Sequence, residues 1–229
     1  MEEKTANQPA YVNTVTAEDA AGNIEGGPAA VAVAPVAKKR FSVKAILLIA
    51  IACIGVIVLA VVLIARSRPE SIAKRFSIAW YDDEKTAMSL RAFDWKAYMI
   101  YMYDGDEEAF FEYAGDKYDV DISSWSEYYK AVDNDVKEYY EDEYGEYRIT
   151  AEVTRSKDMS VKKLIEDNEE CIEKLESRIA FDKDKITDAK LVTTKVKLVG
   201  EDDIMRDKLE IYMVKIDGKW GVLNWAYAD

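Results

Sequence analysis

The chain has no histidine and only 2 cysteines among its 229 residues. Without histidine it lacks zinc sites that combine histidine with cysteine, and it lacks every mechanism that uses a histidine base. Cys53 lies inside a long apolar run, so an intramolecular disulfide with Cys171 is not expected. Basic residues are also scarce, because 31 Lys+Arg face 44 Asp+Glu and the net charge is −13. This balance argues against nucleic-acid binding, which needs a basic face to meet phosphates.

Sequence motifs of catalysis are missing as well. The chain has no P-loop, no glycine fingerprint of dinucleotide binding and no nucleophilic-serine motif. We therefore expect no cofactor and no enzymatic activity.

The strongest positive signal is an uncharged run at residues 45–65, in which 14 of the 21 residues are Leu, Ile or Val. A helix of this length measures about 30 Å, the thickness of the bilayer core. The run predicts one transmembrane helix in contact with lipid. Basic residues flank it equally, but the compact cluster Lys38, Lys39 and Arg40 precedes it. We therefore expect a cytoplasmic N-terminus and a C-terminal domain outside the cell membrane, as in a single-pass signal anchor.

Two further segments surround this run. Residues 1–44 lack periodicity and predict a disordered tail that ends in a basic flank. Residues 69–229 are long enough to fold alone and carry 24 basic and 39 acidic side chains, a net charge of −15. They form the one expected globular domain.

Helices are predicted in the first half of this domain. Apolar residues recur at helical spacing from Pro69, Asp82 or Asp83 suits the cap of a second helix, and short helices are expected near residues 95–102 and 107–113. Ser124 and Glu127 form a capping box that opens a long helix. Its apolar face is expected to hold these residues: Trp125, Tyr128, Tyr129, Val132, Val136, Tyr139 and Tyr140.

Strands dominate the second half. Alternation at residues 147–153 predicts a strand, one helix with a buried stripe from Val161 to Ile179 follows, and strands at 189–199, 208–216 and 219–227 end the chain. Asp217 and Gly218 predict a type I′ hairpin between the last two strands, since that turn needs positive φ.

The ending KLEIYMVKIDGKWGVLNW at residues 208–225 resembles the closing hairpin of domains like nuclear transport factor two. Ile72, Phe76 and Trp80 resemble the helix that lies inside the cone of that cystatin-like fold. The resemblance implies an α+β domain in which N-terminal helices pack in a curved antiparallel sheet, with a pocket at its open end. The layout of tail, span and cone also resembles bitopic assembly factors of type IV secretion and conjugation machines, and membrane-anchored domains of the bacterial cell envelope.

Residues 104–146 hold sixteen acidic and three basic residues, which makes a cation site worth considering. Its candidate ligands are Asp104, Asp106, Glu107 and Glu108. A solvated acidic face with tyrosines packed beneath it is the alternative, and we favour it. Aromatic residues are candidates for a pocket or a binding surface, and core packing is the alternative. These candidates are Trp80, Tyr128, Tyr139 and Trp220.

The sequence thus predicts a non-catalytic binding or scaffolding module of the cell envelope, with a protein or a cationic surface as its partner. Three alternatives stay open: a bitopic subunit of a secretion machine, a domain that binds a small ligand or a cation, and an isomerase-like enzyme of the same fold. The oligomeric state is also open.

Overall fold

The computed structural model describes residues 43–201 and 203–228, without the side chains of residues 43–46, 49 and 50. In these residues helices come first and strands dominate the end of the chain. The helices are α1 (Val43–Arg66), α2 (Pro69–Ala79), α3 (Glu84–Ser89), α4 (Trp95–Tyr101), α5 (Glu107–Tyr118), α6 (Trp125–Tyr144), α7 (Val161–Asp167) and α8 (Glu169–Ile179). The strands are β1 (Arg148–Met159), β2 (Ile186–Val199), β3 (Ile204–Ile216) and β4 (Lys219–Tyr227).

Short polar side chains fix where the helices begin. Asp83, Asp94 and Asp106 each accept a backbone N–H from the first turn of the helix that follows, and Ser160 does so for α7. The predicted capping box of α6 is confirmed in part. The Ser124 hydroxyl accepts the N–H of Glu127, whereas the Glu127 carboxylate reaches one residue further back than expected, to the N–H of Ser123.

Helix α1 covers the apolar run on which the membrane prediction depends. Its described apolar side chains are exposed; Leu48 is 68% and Val56 is 67% accessible. Within the described residues no single helix has the length and apolarity of a membrane span. The pair Ile51–Arg66 and Pro69–Ala79 reaches that length only together and is bent by 69°. The membrane helix stays a prediction, and the predicted tail lies almost wholly outside the described residues.

The four strands form one antiparallel sheet in the order β1-β2-β3-β4. The type I′ hairpin is confirmed, because Asp217 and Gly218 have φ of 50° and 76°. Strand β4 has its predicted bounds, whereas β2 and β3 each begin a few residues earlier than predicted. The predicted α+β class with an antiparallel sheet is therefore confirmed, and the cone remains a prediction.

Helices pack on both faces of the sheet. On what we call the inner face, Phe76 of α2 and Phe110 of α5 are buried with Val196, Ile211 and Met213 of the sheet. The opposite, outer face carries α7 and α8, which bury their apolar stripe against the half of the sheet near the β3–β4 hairpin. That second core contains Leu164, Ile172, Leu175, Ile186, Ala189, Val214 and Leu223. Helices α2, α7 and α8 thus meet the sheet through the apolar stripes that their sequence spacing predicts.

Two local predictions were wrong. The single helix expected from Val161 to Ile179 is broken at Asn168, whose φ and ψ of −129° and 25° are not helical. The buried Asn168 amide donates to the carbonyl of Leu164 and so competes with the regular backbone bond. Tyr139 does not join the buried face of α6, because it is 60% exposed.

Candidate functional site: a cleft beside strand β4

The outer edge of β4 is covered at its centre by the loop that follows α3. Ala92 donates its N–H to the carbonyl of Val222, and Val222 donates its own to Leu90, both at 2.9 Å. This close approach requires Gly221, since a Cβ there would lie 2.7 Å from Cα of Ala92. The two backbone bonds fix Arg91 beside the sheet edge.

The side chain of Arg91 lies among aromatic rings. Its guanidinium carbon is 4.0 Å from the ring centre of Trp225 and 5.1 Å from that of Trp95. Phe76 and Phe93 complete the set, each at 5.4 Å. Aromatic faces attract a cation, so these four rings hold the guanidinium in place without neutralising it.

No carboxylate in the described part of the chain forms an ion pair with Arg91. Among the described residues, the guanidinium donates a hydrogen bond from Nη1 to the carbonyl oxygen of Leu223, and this bond is long, at 3.4 Å. Burial lowers the pKa of the guanidinium to about 10, which measures how poorly the surroundings replace water around the charge.

Two buried side-chain nitrogens in the described residues have no hydrogen-bond partner, and they are Arg91 Nε and Trp95 Nε1. Both residues line the same cleft, whose volume is about 430 Å³. Because buried polar groups are nearly always paired, each exception calls for an explanation. Both groups are donors, so the partner they lack is an acceptor.

The other walls of the cleft come from α4, α8 and the end of β4. The Asn224 amide donates to Asn168 Oδ1 at 2.9 Å and so ties β4 to the break between α7 and α8. Cys171 of α8 also lines the cleft, and burial raises the pKa of its thiol. The thiol is therefore protonated near neutral pH.

Charged side chains surround the mouth of the cleft. Asp167 pairs with Lys163 at 3.1 Å, and Glu170 pairs with Lys174 at 2.5 Å, while Glu169 lies beside them. Two of these three carboxylates are compensated by lysines and Glu169 is not, so the single positive charge of Arg91 is the one available to a ligand in the described part of the cleft. A dianion would meet repulsion at the mouth.

The four candidate cation ligands do not converge. The Asp106 carboxylate caps α5 by accepting the N–H groups of Glu108 and Ala109, and Glu107 accepts the indole N–H of Trp125. Asp104 lies in the preceding turn with φ of 56°. No cluster of three or more acidic or cysteine side chains suited to a metal occurs in residues 43–201 and 203–228.

The four aromatic candidates lie apart from one another. Trp80 is one ring away from the cleft, since its ring centre is 4.3 Å from that of Trp225. Tyr128 is buried in the inner core, and burial raises the pKa of its hydroxyl. Tyr139 is exposed, and Trp220 lines a separate hollow beside the β3–β4 hairpin.

Sequence reasoning missed Arg91, Trp95 and Asn224. The available signal was the segment SLRAFDW at residues 89–95, where a single cation and one acid, Asp94, lie among mainly apolar and aromatic residues. A lone arginine in such a segment is a candidate for a buried charge, but its lack of an acidic partner appears only in three dimensions.

No protein-family model matches this chain, and neither does a curated protein or a solved structure.

Proposed function

We propose that this protein is a membrane-anchored, non-catalytic binding module whose ligand is a small organic monocarboxylate held in the cleft around Arg91. One observation carries the proposal: the two buried, unpaired donors of the described chain, Arg91 Nε and Trp95 Nε1, line one cleft. A carboxylate supplies the two acceptors and the negative charge that these groups lack.

The chemistry of the cleft narrows the class of ligand. One guanidinium and one neutral indole favour a monoanion over phosphate, and the acidic mouth around Glu169 adds to that preference. Trp95, Phe93 and Trp225 form an apolar wall on one side of the cleft, whereas polar and charged side chains line the rest. The apolar wall favours a carboxylate attached to an apolar or aromatic body.

The membrane anchor is part of the proposal and rests on the apolar run at residues 45–65. Helix α1 includes that run, and the exposure of its described apolar side chains would be costly in water. We place the N-terminus in the cytoplasm and the domain from residue 69 outside, as the basic cluster before the run indicates.

Isothermal titration calorimetry on the full chain in detergent micelles tests the ligand class. We expect benzoate to bind, benzamide (the neutral analogue of the same shape) to bind at least tenfold more weakly, and inorganic phosphate not to compete. A series from acetate to naphthoate then measures the contribution of the apolar wall. Equal affinity for benzoate and benzamide would contradict the proposal, and so would the absence of binding across the series.

Variants separate this cleft from other sites. Arg91→Met removes the charge and should abolish benzoate binding. Trp95→Phe removes one donor and should weaken binding at least tenfold, since one hydrogen bond to a charged group is worth about 1.5–3 kcal/mol. Arg178→Met is the matched control, because Arg178 contacts Tyr98 from α8 without lining the cleft. It should change the affinity less than twofold.

A further inference from the structure

A second feature of the chain is a concentration of basic residues on the outer face of the sheet. The end of this face that lies away from α7 and α8 carries five cations, with two acids beside them: Glu152 opposite Lys195, and Glu210 two residues from Lys208. We call the five cations the basic sheet face: Arg148, Lys195, Lys197, Arg206 and Lys208. They stand out in a domain whose net charge is −15.

The register of the strands brings like charges together. Lys195 lies directly opposite Lys208, and Lys197 directly opposite Arg206, on β2 and β3. Like charges in such positions destabilise a sheet. Lys195, Lys197 and Arg206 form no ion pair within the described residues, and all three are exposed. A trough of about 780 Å³ runs along this surface.

The opposite side of the same domain carries a row of negative charges on helix α5. Helix α5 packs Phe110 and Phe111 into the core on the inner face and presents Glu108, Glu112 and Asp116 to solvent. These three carboxylates are four residues apart, so each repels the next along one stripe. We call them the acidic stripe. Its length of about 12 Å is similar to the extent of the basic sheet face.

We propose that a second copy of this chain places its acidic stripe on the basic sheet face, so that copies associate head to tail. Both surfaces are destabilised by like charges when alone, and the contact relieves both. Because the two surfaces lie on opposite sides of the sheet, a pair leaves one of each exposed and the assembly continues as a row. Copies related by translation keep α1 on the same side, as a shared membrane requires.

Two double charge reversals test this contact in the full chain in detergent micelles. The sheet variant is Lys197→Glu/Arg206→Glu and the helix variant is Glu112→Lys/Asp116→Lys. Sedimentation velocity should show that the wild type associates at low salt and dissociates at 0.5 M salt, where charges are screened beyond about 4 Å. Each variant alone should associate at least tenfold more weakly.

Mixing the two variants is the decisive experiment. The two reversed positions of the sheet variant are acidic and the two reversed positions of the helix variant are basic, so the mixture should recover association as alternating copies. Lys162→Glu/Lys185→Glu is the matched control, because it makes the same charge change at exposed cations outside the basic sheet face. It should associate like the wild type.

Three results would overturn the inference. They are a wild type that stays monomeric at low salt, a mixture that does not recover association, and a control that loses association as strongly as the sheet variant. A monomeric wild type that binds phosphatidylglycerol vesicles through Lys197 and Arg206 would assign this face to an anionic membrane instead. None of these results bears on benzoate binding, so the two proposals fail separately.

Discussion

Replacing Arg91 by methionine is the sharpest test of whether this residue serves the fold or a ligand. Methionine has a similar length and tolerates an aromatic environment, so the change removes the charge and the donors while keeping most of the volume. If Arg91 stabilises the fold, the loss of stability should be large. If Arg91 binds a ligand instead, the loss of stability should be small and the loss of ligand binding should be large.

The expected magnitude follows from the surroundings of the guanidinium. The contact with Trp225 at 4.0 Å and three longer ring contacts are worth roughly 3–4 kcal/mol together. Against this, burial lowers the pKa of Arg91 from 12.5 to about 10, which corresponds to about 3 kcal/mol against the charged form. Sulfur–aromatic contacts of the new methionine return up to about 1 kcal/mol. The free energy of unfolding should therefore change by less than about 2 kcal/mol.

Urea unfolding of the full chain in detergent micelles, followed by tryptophan fluorescence, measures this change. Arg178→Met is measured in parallel, as a control for the effect of removing an arginine side chain outside the cleft. A loss of 4 kcal/mol or more in Arg91→Met alone would refute the reasoning, because that is the cost of breaking a buried ion pair. Retained benzoate binding in a stable variant would refute it equally.

Three other predictions concern the scaffold. Gly221→Ala should cost about 1–3 kcal/mol and weaken benzoate binding, as calorimetry and urea unfolding will show, because its Cβ would displace Ala92. Burial raises the folded pKa of Glu84 to about 7, so the free energy of unfolding of the wild type should fall by about 2–3 kcal/mol as pH rises from 4.5 to above 7. Urea unfolding measured across that pH range should show that Glu84→Gln removes this fall. Thr194→Val should cost about 1–2 kcal/mol in urea unfolding by breaking its buried 2.7 Å bond to Ser77, and a smaller loss when Ser77→Ala is also present would confirm the coupling.

Local sequence signals predicted most of the fold because they act over a few residues. The Asp217–Gly218 turn and the bounds of β4 follow from positive φ and alternation, which need no distant partner. The break at Asn168 could not be predicted in this way, because the apolar stripe keeps its helical spacing across it. Its cause is partly tertiary: Asn168 accepts a hydrogen bond from Asn224, 56 residues away.

The candidate sites were harder to predict because they depend on how the fold distributes charged side chains over the surface. The total of −13 suggested a cationic partner for the whole chain, yet strand alternation collects Lys195, Lys197 and Arg206 on one face. The acidic residues near Asp104 suggested a cation site, yet Asp106 is used as a helix cap. A net charge gives the sum over the surface and carries no information about its distribution.

The two unpaired donors of the cleft contrast with the buried polar side chains elsewhere in the described chain, which are hydrogen-bonded. Buried Ser77, Thr194 and Asn168 all have hydrogen-bond partners inside the protein. Against that background, two unpaired donors at random positions would be isolated defects, each costing about 1–3 kcal/mol. Arg91 and Trp95 instead share one cleft, whose aromatic rings stabilise a cation and whose loop is held by two backbone bonds to β4. The proposed carboxylate would remove this cost, so benzoate or a longer carboxylate should stabilise the wild type against urea and leave Arg91→Met unchanged.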